Sequence, residues 1–225
     1  MIRSSAARNR IISVEQFVWN AHDREKSLHC QRLSELRLAG NGANALIFKQ
    51  YRNPPEEQQK EGSTMTIAVG ERVPKGQFSV MGAKGPEPLT TEALFAGKKV
   101  LLFSVPGAFT PTCSNKHLPG YVQQAKALKA KGIDTIACLA VNDAFVMSAW
   151  GKAQNVGDKV VMLADGNGDY TRALGLELDA TGFGMGKRGK RFSMLVDNGV
   201  VKQLNIEPPG QFGVSSAESC LAQLG

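Results

Sequence analysis

Long apolar runs are missing from this chain of 225 residues. No stretch approaches the ~20 consecutive apolar residues of a membrane span, so a soluble protein with no membrane partner is expected. Aromatic residues are scarce, at 7%, and are not interleaved with a basic stripe. The formal charge of +7 is therefore read as a basic solvated surface and not as a nucleic-acid footprint. The charge is also spread out: residues 1–64 hold ten Lys/Arg against seven Asp/Glu, and residues 65–225 hold seventeen against thirteen. Histidine is rarer still. His22, His29 and His117 form no metal-ligand pattern, and no metal or organic cofactor is expected. The four cysteines, Cys30, Cys113, Cys138 and Cys220, include no Cys-x-x-Cys pair, which excludes an in-loop dithiol. With no recognisable signal peptide, free thiols are expected in preference to structural disulfides, and Cys30 reads as inert.

What is present centres on Val105-Pro106-Gly107-Ala108-Phe109-Thr110-Pro111-Thr112-Cys113. The apolar run Val100–Ser104 before it reads as a buried strand, and Ser114 to Lys131 after it reads as a helix. Cys113 thus falls where a strand hands over to a helix start. Unpaired backbone N–H groups and the positive helix end both favour a thiolate there. The dipole contributes only about 0.3–2 kcal/mol, so a reactive thiol needs a cation from elsewhere in the chain.

Strand and helix patterns alternate from Met65 onward. Tyr121–Lys131 is expected as a helix closed by Gly132, Ile133–Val141 as a strand, and Asp143–Gln154 as a helix capped by Asn142 or Asp143. Lys159–Ala164 reads as a strand and Asp169–Leu174 as a short helix. Arg191–Asp197 and Val200–Asn205 flank Asn198-Gly199, a hairpin signal, and Ser215 or Ser216 caps a last helix reaching Leu224. The fold class is α/β: a thioredoxin-like fold, a central mixed sheet flanked by helices. Residues 1–64 differ. Arg- and Ser-bearing at the start and Pro/Glu/Gln-rich over Tyr51–Ser63, they read as a disordered extension: an over-extended gene start, a transit peptide, or an appendage. The cytoplasm is the expected location, with the mitochondrion as the alternative if a transit peptide is included.

Pro106, Thr110 and Cys113 together resemble the peroxiredoxin signature Pro-x-x-x-Thr-x-x-Cys, and the longer string with Lys116-His117-Leu118-Pro119-Gly120 is similar to the type II (peroxiredoxin-5-like) branch. The likeness continues through Ala137-Cys138, Val141–Val146, Ala149-Trp150-Gly151, Leu163-Ala164-Asp165 and Lys190–Met194, about Met65 to Leu224. It implies a thiol peroxidase that reduces hydrogen peroxide and organic hydroperoxides through a Cys113 sulfenic acid. Thr110, Arg191 and Pro106 are its other site residues, Arg191 being the missing cation. In a thioredoxin-type dithiol loop Thr110 would be the first cysteine, so only attack on an external electrophile remains. The resemblance also implies a homodimer through the face near Pro106–Phe109.

Cys138, 25 residues after Cys113, stands where plant-type members of this branch carry a second redox cysteine. It lies in an apolar strand pattern, and Cys220 lies in a helical one, so an external reductant is expected: glutathione with glutaredoxin first, thioredoxin second. Three other readings are weighed. Cys113 and His117 are spaced four apart, as on one helical face, which suggests a cysteine hydrolase. Gly184 to Arg191 imitates a phosphate-binding loop but lacks its Ser/Thr and following helix, and reads as a loop. A non-catalytic redox sensor would use the same thiol without turnover.

Overall fold

The computed structural model describes residues 65–224. The readings made for residues 1–64, Cys30 included, lie outside the described residues. Val100 and Leu102 face one way along their strand and Leu101 and Phe103 the other, yet all four are buried. Only a strand covered on both faces accepts such a run.

That strand, β3 (Lys99–Ser104), is near the middle of a seven-stranded sheet. The other strands are β1 (Gln77–Gly82), β2 (Gly85–Thr90), β4 (Thr135–Ala140), β5 (Val161–Ala164), β8 (Phe192–Asp197) and β9 (Val200–Ile206), in the order β2-β1-β5-β4-β3-β8-β9. β3, β4 and β5 are parallel, and the remaining pairings are antiparallel. On one face lie α2 (Leu118–Ala130), α3 (Ala144–Ala153) and α5 (Ala217–Gln223), which pack Tyr121, Trp150 and Cys220 against Leu101, Phe103 and Cys138. On the other lie α1 (Thr91–Phe95) and α4 (Asp169–Ala173), with Phe95 and Tyr170 against Val100, Leu102 and Met194. This is the mixed α/β, thioredoxin-like arrangement that the alternating pattern implies.

The local signals hold. Asp143 caps α3 by accepting from Val146 N at 2.9 Å, and Ser216 caps α5 by accepting from Ser219 N at 3.1 Å. Asn198 and Gly199 both have positive φ, 46° and 79°, as a two-residue hairpin between β8 and β9 requires. Two readings are corrected. The helix expected from Ser114 is interrupted at its start by a wider turn, taken up below. The segment read as a loop over Gly184–Arg191 includes strand β7 (Lys187–Gly189), paired antiparallel with β6 (Glu177–Asp179) in a separate two-stranded ribbon.

Candidate active site

The loop after β3 is fixed before it reaches the cysteine. Val105 N donates to Leu139 O at 3.1 Å, and Ala108 N donates to Asn142 Oδ1 at 3.0 Å, which ties the loop to the end of β4. Phe109 has φ 61°, a left-handed conformation that bulky residues rarely adopt. Its ring is left 56% exposed. The Thr110 hydroxyl donates to Gly107 O at 2.9 Å, and Thr110 O accepts the first helical bond, from Ser114 N at 2.9 Å. Pro111 enters the helix where a missing N–H costs nothing. The ladder then widens: Leu118 N donates to Cys113 O, five residues back, so Cys113–His117 is a π-type turn ahead of α2. Pro119 follows at once in the first turn of α2, where a missing N–H is tolerated.

Cys113 is fully buried in this turn, and Arg191 reaches it from the other side. β8 runs antiparallel to β3 with Phe192 opposite Ser104, so the residue before β8 lies beside the loop that leaves β3. Arg191 Nη2 is 3.5 Å from Cys113 Sγ, and Nη1 is 2.9 Å from His117 Nδ1. Among the described residues no carboxylate forms an ion pair with this guanidinium. Because arginine has only donors, Nδ1 of His117 must accept, and Nε2 carries the proton that it donates to Ser215 O at 3.0 Å. Burial, then the adjacent Arg191 charge, lowers the His117 pKa to about 3, so the ring is neutral at ordinary pH. His117 therefore meets Cys113 only through Arg191, and the Cys–His hydrolase geometry does not form.

Pro106 borders the same site. With Thr112, Arg191, Phe212 and Lys116 it lines a cleft of about 760 Å³, whose walls are largely apolar and whose charged rim includes Lys190. Among the described residues no cluster of His, Cys, Asp or Glu side chains could hold a metal ion. Thr110 sits on the loop as expected, but its one O–H is committed to Gly107 O, which leaves its hydroxyl oxygen only lone pairs to offer.

The other two described cysteines lie in the same apolar layer as Cys113. Cys138 is in the middle of β4, opposite Phe103 on one side and Met162 on the other, and is fully buried. Burial, then the neighbouring Cys113, pushes its thiol well above the usual range, with Arg191 opposing. Cys220 is on α5, with Sγ 3.2 Å from the Tyr121 hydroxyl, and burial raises its thiol too. The spacing of the sequence gave no sign of Glu207. It follows β9 and accepts from Gly213 N at 2.6 Å and from Ser215 N and Oγ, both at 2.8 Å.

Residues 68–221 match the Redoxin family. Peroxiredoxin-2C of Oryza sativa subsp. japonica is 52% identical over 159 residues, which cover 70% of this chain and 98% of that protein. The chloroplastic Peroxiredoxin-2E of Arabidopsis thaliana is 50% identical over 165 residues, 72% of this chain and 70% of that protein. Among solved structures, reduced Prx3 of Vibrio vulnificus in complex with H2O2 superposes with a TM-score of 0.69 at 54% identity, covering 71% of this chain and 100% of that one. A likeness this even, carried from the first strand to the last helix on either side of the buried thiol, makes the chain a member of the peroxiredoxins within the redoxin family, thiol peroxidases of antioxidant defence.

Proposed function

We propose that Cys113 is the peroxidatic nucleophile and that it reduces hydrogen peroxide and small organic hydroperoxides. The observation that carries this reading is the Arg191 guanidinium, free of any described carboxylate, 3.5 Å from a buried sulfur. Cys113 S⁻ attacks the distal peroxide oxygen; the S–O bond forms as the O–O bond breaks. The alkoxide or hydroxide that leaves takes up a proton and departs as alcohol or water, and Cys113 becomes a sulfenic acid. Arg191 stabilises both the thiolate and the negative charge moving onto the leaving oxygen. Thr110 accepts a hydrogen bond from the peroxide O–H, and Pro106 closes the loop side without adding a competing donor. The apolar wall of the adjacent cleft suits the alkyl part of a small hydroperoxide.

A thiol from outside the chain then attacks the sulfenic acid and expels water, and a second thiol frees Cys113. Support comes from Cys138, held in the centre of a sheet, and Cys220, held on a packed helix; a disulfide needs Cα atoms about 4.4–6.8 Å apart with converging Cβ directions. Glutathione with glutaredoxin is the proposed reductant, ahead of thioredoxin. The exposed Phe109 beside the rigid loop supports a homodimer through the Pro106–Phe109 face.

The test is peptide mapping under non-reducing conditions after one equivalent of peroxide. A sulfenic acid trapped by dimedone, or a glutathione adduct, is expected at Cys113. A near-stoichiometric Cys113–Cys138 disulfide would show internal resolution instead.

A further inference from the structure

Arg191 is held at two points by one residue. Glu207 N donates to the Arg191 backbone carbonyl at 2.9 Å, while its carboxylate begins a second path back to the same arginine. Glu207 Oε1 accepts from Ser215 N and Oγ; Ser215 O accepts from His117 Nε2; and His117 Nδ1 accepts from Arg191 Nη1. The hydrogen bonds thus close a ring: Arg191 backbone, Glu207, Ser215, His117, Arg191 guanidinium. Ser215 and His117 are fully buried, and Glu207 is 8% exposed.

Each member has a directional task. The carboxylate carries no proton at ordinary pH and takes three donors, Gly213 N included, so it fixes the backbone from Gly213 to Ser215. That sets the Ser215 carbonyl, which accepts both His117 Nε2 and the Tyr121 hydroxyl, the latter at 2.9 Å. An acceptor at Nε2 requires the proton there, which leaves Nδ1 as a lone pair aimed at Arg191. With the other tautomer, Nδ1–H would face a guanidinium N–H, donor against donor. The ring therefore selects one tautomer and one guanidinium orientation, the one that turns Nη2 toward Cys113.

We propose that Glu207, acting through Ser215 and His117, is a positioning residue for the peroxidatic reaction: it aims Arg191 at Cys113, an effect that does not depend on its also bordering the cleft. The proposal rests on the reading of Arg191 given above. No other part of the ring is required to contact the peroxide.

The test is a double-mutant comparison of the stopped-flow rate constant for Cys113 oxidation by hydrogen peroxide. Glu207→Ala should slow oxidation about tenfold or more in the parent and less than twofold in an Arg191→Met background, because its effect passes through Arg191. A general packing defect would slow both backgrounds alike. Equal slowing in both, or a rate within twofold of the parent for Glu207→Ala alone, overturns the proposal. If Glu207→Ala does not fold, Glu207→Met, which keeps the length of the side chain and removes the acceptor, carries the same comparison with the same criteria. A parental rate for Arg191→Met itself would remove Arg191 from the site and so fail the earlier reading, which separates the two failures.

Discussion

Cys113 and Cys138 share one apolar layer and the same complete burial, and β3 pairing puts Cys138 opposite Phe103, on the face where Cys113 also packs. Their surroundings differ in kind. Cys113 is at the start of a π-type turn with a guanidinium 3.5 Å from its sulfur. Cys138 is inside a parallel pair on each side, with its backbone committed to the sheet and its thiol pushed up by desolvation. Burial alone disfavours a thiolate; a guanidinium within hydrogen-bond distance and a helix start face one of these sulfurs and not the other. Exposure does not distinguish the two sulfurs; what faces each of them does.

The comparison breaks most readily at Arg191. Arg191→Met should slow oxidation of Cys113 by about 10²–10³-fold, the usual cost of removing one preorganised donor to a developing charge, with the fold retained. Stopped-flow kinetics with hydrogen peroxide and a thermal unfolding curve check this together. A rate within twofold of the parent would leave the contrast with Cys138 without its cause.

Thr110→Val should have a smaller effect, roughly tenfold, since one neutral hydrogen bond near 1.4 kcal/mol is lost. It also frees the Gly107 carbonyl, so the reading needs an unchanged melting temperature beside the slower rate.

A third prediction concerns acid. His117 has its pKa lowered to about 3 in the folded protein, first by burial and then by Arg191. Below about pH 6.5 the unfolded chain binds a proton that the native ring refuses, so stability falls as pH drops from there toward 3. The slope from this group is about 1.4 kcal/mol per pH unit, or roughly 2–3 kcal/mol between pH 6.5 and 4.5. Glu207 adds a loss of the same sign at lower pH. Burial works against its charge, but the Gly213 and Ser215 donors outweigh that and hold its carboxyl below the usual value. Urea unfolding of His117→Asn at pH 7 and 4.5 should show a flatter profile than the parent. An unchanged pH dependence would place the protonation elsewhere.

The smallest effect is expected at the comparison's other end. Cys138→Ala should leave peroxide turnover with glutathione and glutaredoxin within twofold, and iodoacetamide applied to the native protein should label Cys113 and spare Cys138. Loss of turnover would make Cys138 a partner in the reaction cycle.

How far the sequence reveals this site depends on the range over which each signal acts. β3, the Asp143 and Ser216 caps and the Asn198-Gly199 turn are encoded within a few residues, and each was legible. The hairpin of β1 and β2 was not. Pro86 and Pro88 argue against a strand, and they are accommodated because β2 is at the sheet edge, where missing N–H donors cost little. The β6–β7 ribbon is only three residues a side, too short for a period to show. At Cys113 and His117 a four-residue spacing suggested a shared helical face, but the wider turn ahead of Pro119 and the inserted Arg191 replace that contact. Arg191 is brought to Cys113 by the pairing of Ser104 with Phe192, a long-range register that no local pattern records. Only the resemblance to a family pointed to it. Glu207 left no trace in the sequence, because its partners Gly213 and Ser215 follow in the same irregular segment after β9 and no periodic pattern records how that segment folds back.

The central claim, that Cys113 is the thiol that consumes peroxide, is tested most directly by Cys113→Ser. Peroxide consumption is measured with glutathione and glutaredoxin in excess, for a variant whose unfolding curve matches the parent. The account predicts that turnover falls to the uncatalysed background, since an alcohol cannot replace the thiolate. Retention of most of the parental turnover would contradict it.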